Sequence, residues 1–205
     1  EWIQFLDGDD LLDKNKLEES LKFKIEANII ITNFAMIYGE EISEPFCDLT
    51  KYEFNFEHLI SGWDIDFNLP IHCVLMNKSI LGNTRFRTDL KAKEDWVFWL
   101  DIFEKNEVKV KFIDEKLCFY RHNPNGASKQ FLSVYEDNFT ANKFVFDKYG
   151  DHAKSLLFNR LNQQNLDLNK NNFHQKNHIR KLQSTKVLKV YLNFREKLSK
   201  IFNRS

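Results

Sequence analysis

Three carboxylates follow an apolar stretch at the start of the chain. Residues Trp2 to Leu6 are apolar apart from Gln4, and Asp7, Asp9 and Asp10 come directly after them. Carboxylates crowded this closely repel one another. A divalent cation relieves the repulsion, because Mg²⁺ or Mn²⁺ takes carboxylate oxygens together with the oxygens of a bound phosphate. A solvated acidic turn is the other interpretation, and these residues alone favour neither.

The surrounding residues predict how these carboxylates are positioned. Trp2 to Leu6 predicts a short β-strand, Gly8 breaks the pattern, and Asp13 is expected to cap a helix over about residues 14–27. The three aspartates are therefore expected at the C-terminal end of a strand, on a turn before a helix. In open α/β sheets this is where ligands bind.

Two later segments also carry polar side chains at element boundaries, where functional residues concentrate. Glu94 and Asp95 begin a predicted helix, whose apolar face is spaced at helical intervals. That face consists of Trp96, Trp99, Leu100 and Phe103. Arg121 and His122 follow a predicted short strand over 117–120 and open a loop rich in Asn, Pro and Gly.

The remaining pattern predicts an α/β region followed by helices. The predicted strands cover residues 29–34, with a continuation to 38 left open, 108–113 and 117–120. The predicted helices are short over 52–61 and 78–81 and longer over 131–149, 152–165 and 184–202. Residues 40–48 are expected to form a polar loop, and the Asn/Gln-rich residues 163–178 a linker. The element order predicts an α/β domain over 1–130 and a helical appendage over 131–205.

The three constellations together resemble those of family 2 glycosyltransferases with the GT-A fold. The sequence FLDGDD at residues 5–10 resembles the DxD segment of that family, KEDWVFWL at 93–100 is similar to its ED helix, and FYRH at 119–122 with Ser128 resembles its late loop. The match covers about 1–130, in the family's order. It implies an α/β fold that is a partial GT-A domain, lacking the N-terminal nucleotide-binding half, followed by C-terminal α-helices.

The resemblance implies a nucleotide-diphosphate sugar as donor and Mg²⁺ or Mn²⁺ as cofactor, because the diphosphate leaving group needs its charge neutralised. Asp9 is expected to bind the metal directly, and Asp7 to contact the ribose, or the metal through water. Arg121 suits the diphosphate, since its guanidinium pairs bidentately. His122 would reach the metal or the diphosphate, but the family has one residue between Arg and His, so Asn123 is the alternative. Asp10 is expected to cap the following helix rather than to bind metal.

The resemblance also implies an inverting transfer in a single displacement, which needs a general base for the acceptor hydroxyl. Asp95 matches that base, with helix capping as its alternative role, and Glu94 is expected to hold donor or acceptor hydroxyls. Three aromatic side chains are candidates for acceptor binding, because aromatic faces suit sugar rings. They are His72, Trp63 and Trp96, with simple packing as the alternative for Trp63.

Charge is unevenly placed in a chain with a formal net charge of zero. Residues 170–205 contain ten Lys or Arg and one acid, Glu196, and residues 184–202 predict a basic amphipathic helix. Such a helix suits an anionic membrane surface, with packing on the protein body or on a partner as the alternative. Membrane contact through 184–205 would serve a lipid-linked saccharide acceptor.

Compartment and source are predicted from composition. The three cysteines form no CxxC pair, so we expect reduced thiols and a cytoplasmic protein, peripheral on the inner face of the cytoplasmic membrane. From the sequence we expect neither a segment that crosses a bilayer nor a signal peptide. The low Gly and Pro content, together with many Lys, Asn, Phe and Ile residues, suits a bacterium with an AT-rich genome, which we expect to make surface polysaccharide or lipooligosaccharide. Because the chain opens at the DxD strand, we expect a preceding half.

Other functions remain as alternatives at this stage. A metal-dependent phosphatase of the haloacid dehalogenase type also carries DxD after a strand, but Asp10 stands where that pattern has Thr or Val. A non-catalytic fragment that binds a sugar nucleotide is a second alternative. An EF-hand is excluded because Leu12 occupies the position that requires Gly. No nucleic-acid-binding module is present in the sequence.

Overall fold

A computed structural model of the chain describes residues 1–105, 107–123 and 131–184. The chain divides into two compact units, Glu1–Arg160 and Leu161–Ser205. The strands are β1 (Trp2–Gln4), β2 (Leu11–Leu12), β3 (Ile29–Tyr38), β4 (Glu41–Ser43), β5 (Val74–Asn77) and β6 (Val110–Arg121). The helices are α1 (Lys16–Leu21), α2 (Phe56–Ser61), α3 (Glu94–Lys105), α4 (Phe131–Lys148) and α5 (Asp151–Ser184).

The described strands form one mixed sheet in the order β1-β5-β3-β6-β2, with β4 added to β3 as a hairpin. The central strand β3 is buried along almost its whole length, as expected for the continuous apolar run Ile29–Ile31. It pairs in parallel with β6 and antiparallel with β5. The outer strands β1 and β2 pair antiparallel with β5 and β6. This arrangement brings the two ends of the acidic segment 7–10 onto different strands of the same sheet.

The strand β6 is continuous, so the prediction of two strands over 108–113 and 117–120 is wrong. The polar residues Asp114 to Lys116 interrupt the apolar alternation without ending the strand. The ladder with β3 shifts register on either side of Asn33, and the Asn33 amide donates a 2.7 Å hydrogen bond to Asp114 Oδ1. A local bulge of this kind leaves a residue out of the ladder and changes the direction of neighbouring side chains. It is consistent with the exposure of Asp114 to Lys116 within a continuous strand.

Several other boundaries differ from the prediction. The first helix, α1, ends at Leu21 and is followed by turns, and α2 begins at Phe56 rather than at residue 52. The expected loop over 40–48 contains the short strand β4. Gly62 follows α2, and a Cβ at this position would lie 3.0 Å from Phe67 Cε1, so close packing favours glycine at this helix end.

The core of the first unit extends beyond the predicted domain boundary at residue 130. The apolar face predicted for α3 is buried, including Trp99 and Phe103. The following helices also contribute buried core residues, namely Ala141, Val145, Tyr149, Ala153 and Leu157. The α/β unit therefore includes α4 and the first turns of α5, and the helical part is not a separate appendage from residue 131.

The second unit contains the rest of α5. This helix runs to Ser184, so the prediction of a linker over 163–178 is wrong. Its exposed apolar residues include Leu166, Phe173 and Ile179. The predicted basic helix over 184–202 lies outside the described residues apart from Ser184. Among the helices of the described ranges, none is long and apolar enough to cross a membrane.

Candidate active site

The three constellations identified in the sequence line one cavity. The cavity has a volume of about 700 Å³ and lies within the first unit. Its walls include the acidic turn (residues Asp7–Asp10), the start of α3 with Glu94 and Asp95, and the end of β6 with Arg121 and His122. The fold therefore brings together residues that are more than a hundred positions apart in the sequence. This is a necessary condition for the predicted chemistry, and the individual roles of the residues stay predictions.

Strand pairing positions the acidic turn. Its first end continues from β1, which is held by β5, and its second end leads into β2, which is held by β6. Within the turn, the Asp10 backbone N–H donates a 3.2 Å hydrogen bond to the Asp7 carbonyl. Burial raises the pKa of Asp7, and the neighbouring Asp10 carboxylate raises it further. Positive charge brought into the cavity would therefore be stabilised at this turn.

Asp10 does not cap the following helix, so that expectation is wrong. Its side chain is buried, and Asp10 Oδ2 lies 2.9 Å from His72 Nδ1. The other carboxylate oxygen, Oδ1, accepts a 2.8 Å hydrogen bond from the Arg121 backbone N–H. His72 is 0% exposed and does not line the cavity, so its predicted contact with an acceptor is corrected to an internal contact with Asp10.

The end of β6 is bonded directly to the acidic turn. Arg121 Nε donates a 2.9 Å hydrogen bond to the Asp9 carbonyl, and Asn123 Nδ2 lies 3.3 Å from Asp9 Oδ2. The His122 ring stacks on Tyr38, with 4.9 Å between ring centroids, while its backbone N–H donates to Ile37. His122 and Asn123, the two alternatives for the late loop, thus both line the cavity. Of the two, Asn123 is the one whose side chain contacts the Asp9 side chain.

The start of α3 presents two acids to the cavity. Removal from solvent raises the pKa of Asp95 to about 7, and the adjacent Glu94 charge acts in the same direction. The helix begins at Glu94, so Asp95 lies in the first turn, where its Oδ1 accepts a 2.7 Å hydrogen bond from the Trp96 backbone N–H. Glu94 Oε2 is buried without a hydrogen-bond partner among the described residues. The Asp95 carboxyl group can therefore hold and transfer a proton near neutral pH.

The two candidate tryptophans have different positions. Trp96 is 1% exposed, donates a 2.7 Å hydrogen bond to the Leu59 carbonyl and does not line the cavity. Its predicted contact with the acceptor is therefore corrected to a core contact. Trp63 is also 1% exposed but does border the cavity, and its Nε1 has no partner among the described residues. Its position is compatible with packing and with a ligand contact.

The donor set for a cation consists of carboxylate oxygens. In the part of the chain that the structure describes, no three His, Cys, Asp or Glu side chains come together closely enough to hold a metal ion. Asp7 and Asp9 line the cavity as two carboxylates. Mg²⁺ typically takes one or two protein carboxylates and completes its shell with water and substrate phosphates. The residues present therefore fit a cation that is bound together with a diphosphate.

Two contacts at this site are not predicted by any pattern in the sequence. One is the buried pair of Asp10 and His72, and the other is the ion pair of Asp64 and Lys93 beside the start of α3. Each joins residues that are distant in the sequence, so no local pattern could reveal the partner. Tyr120 also lines the cavity, and burial together with the three aspartates of the acidic turn raises the pKa of its hydroxyl.

The fold of the chain is similar to part of Staphylococcus aureus TarS. A crystal structure of TarS residues 1–349 in complex with UDP-GlcNAc matches with a TM-score of 0.55 and 15% identity, over 79% of this chain and 48% of that one. The complex with UDP matches with a TM-score of 0.51 and 16% identity, over 80% of this chain and 46% of that one. This similarity shows a shared fold.

The chain also has sequence relatives that are named glycosyltransferases. An uncharacterized glycosyltransferase of Rickettsia conorii is 26% identical over 193 residues, which are 87% of this chain and 30% of that protein. A second, from Rickettsia bellii, is 24% identical over 181 residues, or 83% of this chain and 25% of that protein. The chain thus spans less than a third of the length of these relatives. No protein-family model matches it. The chain is therefore similar in sequence to proteins named glycosyltransferases and similar in fold to TarS.

Proposed function

We propose that this chain forms the catalytic cavity of an inverting glycosyltransferase of the GT-A type, family 2, which moves a sugar from a nucleotide-diphosphate sugar to a hydroxyl acceptor. The observation that carries the proposal is that the acidic turn, the Glu94–Asp95 pair and Arg121 line one cavity. Donor activation and acceptor deprotonation need different groups within reach of one reacting centre, and a common cavity supplies them.

The donor side of the proposed site is the acidic turn and the end of β6. Asp9 and Asp7 would hold Mg²⁺ or Mn²⁺, which when bound supplies positive charge to the departing diphosphate. Arg121 adds a permanent positive charge, and its Nε bond to the Asp9 carbonyl fixes the guanidinium beside the turn. The similarity to TarS, whose crystal structures contain UDP-GlcNAc and UDP, supports a nucleotide-sugar donor.

The acceptor side is the start of α3. Asp95 would accept the proton of the incoming hydroxyl, and its raised pKa of about 7 suits a base that works near neutral pH. Glu94, with a buried oxygen that no described residue binds, would accept a hydrogen bond from a sugar hydroxyl. With a base and no covalent nucleophile, one displacement inverts the anomeric centre.

The acceptor is proposed to be a saccharide of a surface glycan or of a lipid-linked carrier. The support is compositional: ten Lys or Arg over residues 170–205 suit an anionic surface such as the inner face of the cytoplasmic membrane. Co-sedimentation of the full-length protein with vesicles tests this part. Binding to vesicles that contain anionic lipid, and loss of binding without that lipid, is the expected result.

Transfer is tested by screening UDP-, GDP- and dTDP-sugars on the full-length protein with Mg²⁺ or Mn²⁺. Asp95→Asn should lower kcat by about 100-fold or more while donor affinity stays nearly unchanged. Asp147→Asn, at an exposed position of α4, is the matched control. Binding of a nucleotide sugar without transfer would indicate a non-catalytic binder. Turnover of a simple phosphoester in place of transfer would favour the phosphatase alternative.

A further inference from the structure

Two residues beside the cavity have a backbone conformation that their side chains disfavour. Among the described residues other than glycine, only Asp64 and Lys93 have positive φ, at 64° and 69°. The left-handed region is costly for residues with a Cβ, and such residues persist where the surrounding contacts hold them. Observed strain of this kind is concentrated at functional sites. The two positions are 29 residues apart in the sequence, which excludes a common local turn.

These two residues are bonded to each other. Lys93 Nζ lies 2.5 Å from Asp64 Oδ1, and the two side chains are only 16% and 25% exposed. Partial burial strengthens the attraction because water screens it less. The ion pair is a direct contact between the two positions of positive φ.

The ion pair joins the turn after α2 to the start of α3. The Asp64 backbone N–H donates to the Phe67 carbonyl and to Asn68 Oδ1, which closes the turn. The Lys93 carbonyl accepts a 3.1 Å hydrogen bond from Val97 N–H, the first helical bond of α3. The direction in which α3 presents its first residues therefore depends on the backbone of Lys93, and Lys93 is held by Asp64.

The same two side chains act on the electrostatics of Asp95 with opposite signs. The charged groups that face Asp95 are Glu94 and Lys93 at the start of α3 and Asp64 from the turn after α2. The neutral Tyr120 hydroxyl on β6 is the further titratable group near Asp95. The Lys93 ammonium lowers the pKa of Asp95, whereas the Glu94 and Asp64 carboxylates raise it.

We propose that Lys93 and Asp64 are positioning residues of the transfer reaction: their ion pair fixes the turn that presents Asp95 to the cavity, and it places two opposite charges beside that carboxylate. The inference rests on the proposed function, because it takes Asp95 as the base. It adds that the strained backbone and the ion pair serve the base rather than the stability of the fold alone.

Two substitutions in the full-length protein test the inference through the pH profile of kcat/KM. Lys93→Met removes the positive charge and should move the acid limb to higher pH, so that activity near about pH 6 is lost preferentially. Asp64→Asn removes the negative charge and should move the same limb to lower pH. A merely structural role would lower activity in both variants without moving the limb in opposite directions.

Matched variants separate charge from folding. Lys93→Arg keeps the charge and should keep the position of the acid limb. Lys22→Met, which breaks the exposed ion pair with Glu19 on α1, should leave the whole profile unchanged. If Lys93→Met fails to fold, Lys93→Arg and Asp64→Asn still decide the matter. Shifts in the same direction for Lys93→Met and Asp64→Asn, or an unshifted limb in Asp64→Asn, would overturn the proposal.

A measurement without activity distinguishes failure of this inference from failure of the proposed function. Carbon-13 NMR of labelled aspartate carboxyl groups reports the titration of Asp95, assigned by its disappearance in Asp95→Asn. The titration should move up in Lys93→Met and down in Asp64→Asn. A protein without transferase activity that shows these shifts would refute the proposed function alone. An active protein without the shifts would refute the positioning role alone.

Discussion

Asp10 and His72 form a buried contact beneath the candidate active site, with 2.9 Å between Asp10 Oδ2 and His72 Nδ1 and almost no solvent exposure of either side chain. The contact is a close approach of the imidazole nitrogen to the carboxylate oxygen and does not have the geometry of a hydrogen bond. Asp10 also accepts the Arg121 backbone N–H. The carboxylate therefore ties the acidic turn, the segment before β5 and the end of β6 together.

Removing one member of this pair should destabilise the protein. His72→Leu leaves the buried Asp10 carboxyl group without its facing imidazole, and removing one partner of a buried polar contact costs about 1 to 3 kcal/mol in the free energy of unfolding. Urea denaturation measures the change. The matched control is His152→Leu, which breaks the exposed contact of His152 with Glu57 and should cost less than about 1 kcal/mol. Equal losses in both variants would show that the buried pair is unimportant.

Asp9→Ala should weaken donor binding that depends on a metal. Asp9 is the expected direct ligand, and loss even of an outer partner of a metal site typically costs about 10- to 100-fold in metal affinity. Calorimetric titration with UDP, in the presence of Mn²⁺ and in the presence of EDTA, measures the effect. Glu26→Ala, an exposed carboxylate after α1, is the control. UDP affinity that is insensitive to EDTA in the unmodified protein would contradict the metal role.

Asp95→Asn should stabilise the protein at alkaline pH. The pKa of Asp95 is raised from 3.8 to about 7 by burial, so between these values the folded state binds more protons than the unfolded state. Stability from this group therefore falls as pH rises from about 4 to about 7. An amide removes that dependence, and we expect a gain of at least about 1 kcal/mol at about pH 8. Thermal or urea unfolding at several pH values checks it, and a loss of stability above pH 7 would be the contrary result.

Arg160→Ala should destabilise the first unit through lost internal contacts. Arg160 is 4% exposed, and its guanidinium lies 4.2 Å above the Trp96 ring and donates to the Ile60 carbonyl and to Asn142. Burial lowers the pKa of Arg160 to about 10. Truncation leaves these acceptors unpaired and removes the contact with the Trp96 ring. We expect the free energy of unfolding to fall by about 2 to 3 kcal/mol.

Two variants bracket that prediction. Arg160→Lys should recover only part of the loss, because an ammonium cannot reproduce the planar guanidinium over Trp96. Arg180→Ala, at an exposed position of α5, should change the free energy of unfolding by less than about 0.5 kcal/mol. Urea unfolding of all three variants measures these differences, and a neutral Arg160→Ala would contradict the role given to this contact.

Local patterns predicted the elements that carry the site. The apolar run Ile29–Ile31 is a buried strand, and the helical spacing of Trp96, Trp99 and Phe103 corresponds to α3. The acidic turn follows a strand, as its sequence indicates. These predictions succeeded because the periodicity of strands and helices is a local property, which burial on one face imposes directly.

The failures share a different cause. The sequence predicts that His72 contacts the acceptor, but its partner is Asp10, which lies 62 residues earlier, and no local pattern shows such a contact. Residues 163–178 were expected to form a linker because they are rich in Asn and Gln. They contain neither Gly nor Pro, and Asn costs a helix only a fraction of a kcal/mol per residue, so α5 continues through them.

The pairing of β2 with β6 places Leu11 opposite Phe119. During synthesis, the chain therefore has to emerge almost to the end of β6 before β6 can pair with β2 and hold the second end of the acidic turn. Until then the aspartates at 7, 9 and 10 belong to a segment that is held at one end only, through β1 and β5, and closing so long a loop delays assembly. The site should consequently become able to bind a ligand only late in synthesis, although the acidic turn is translated before the end of β6.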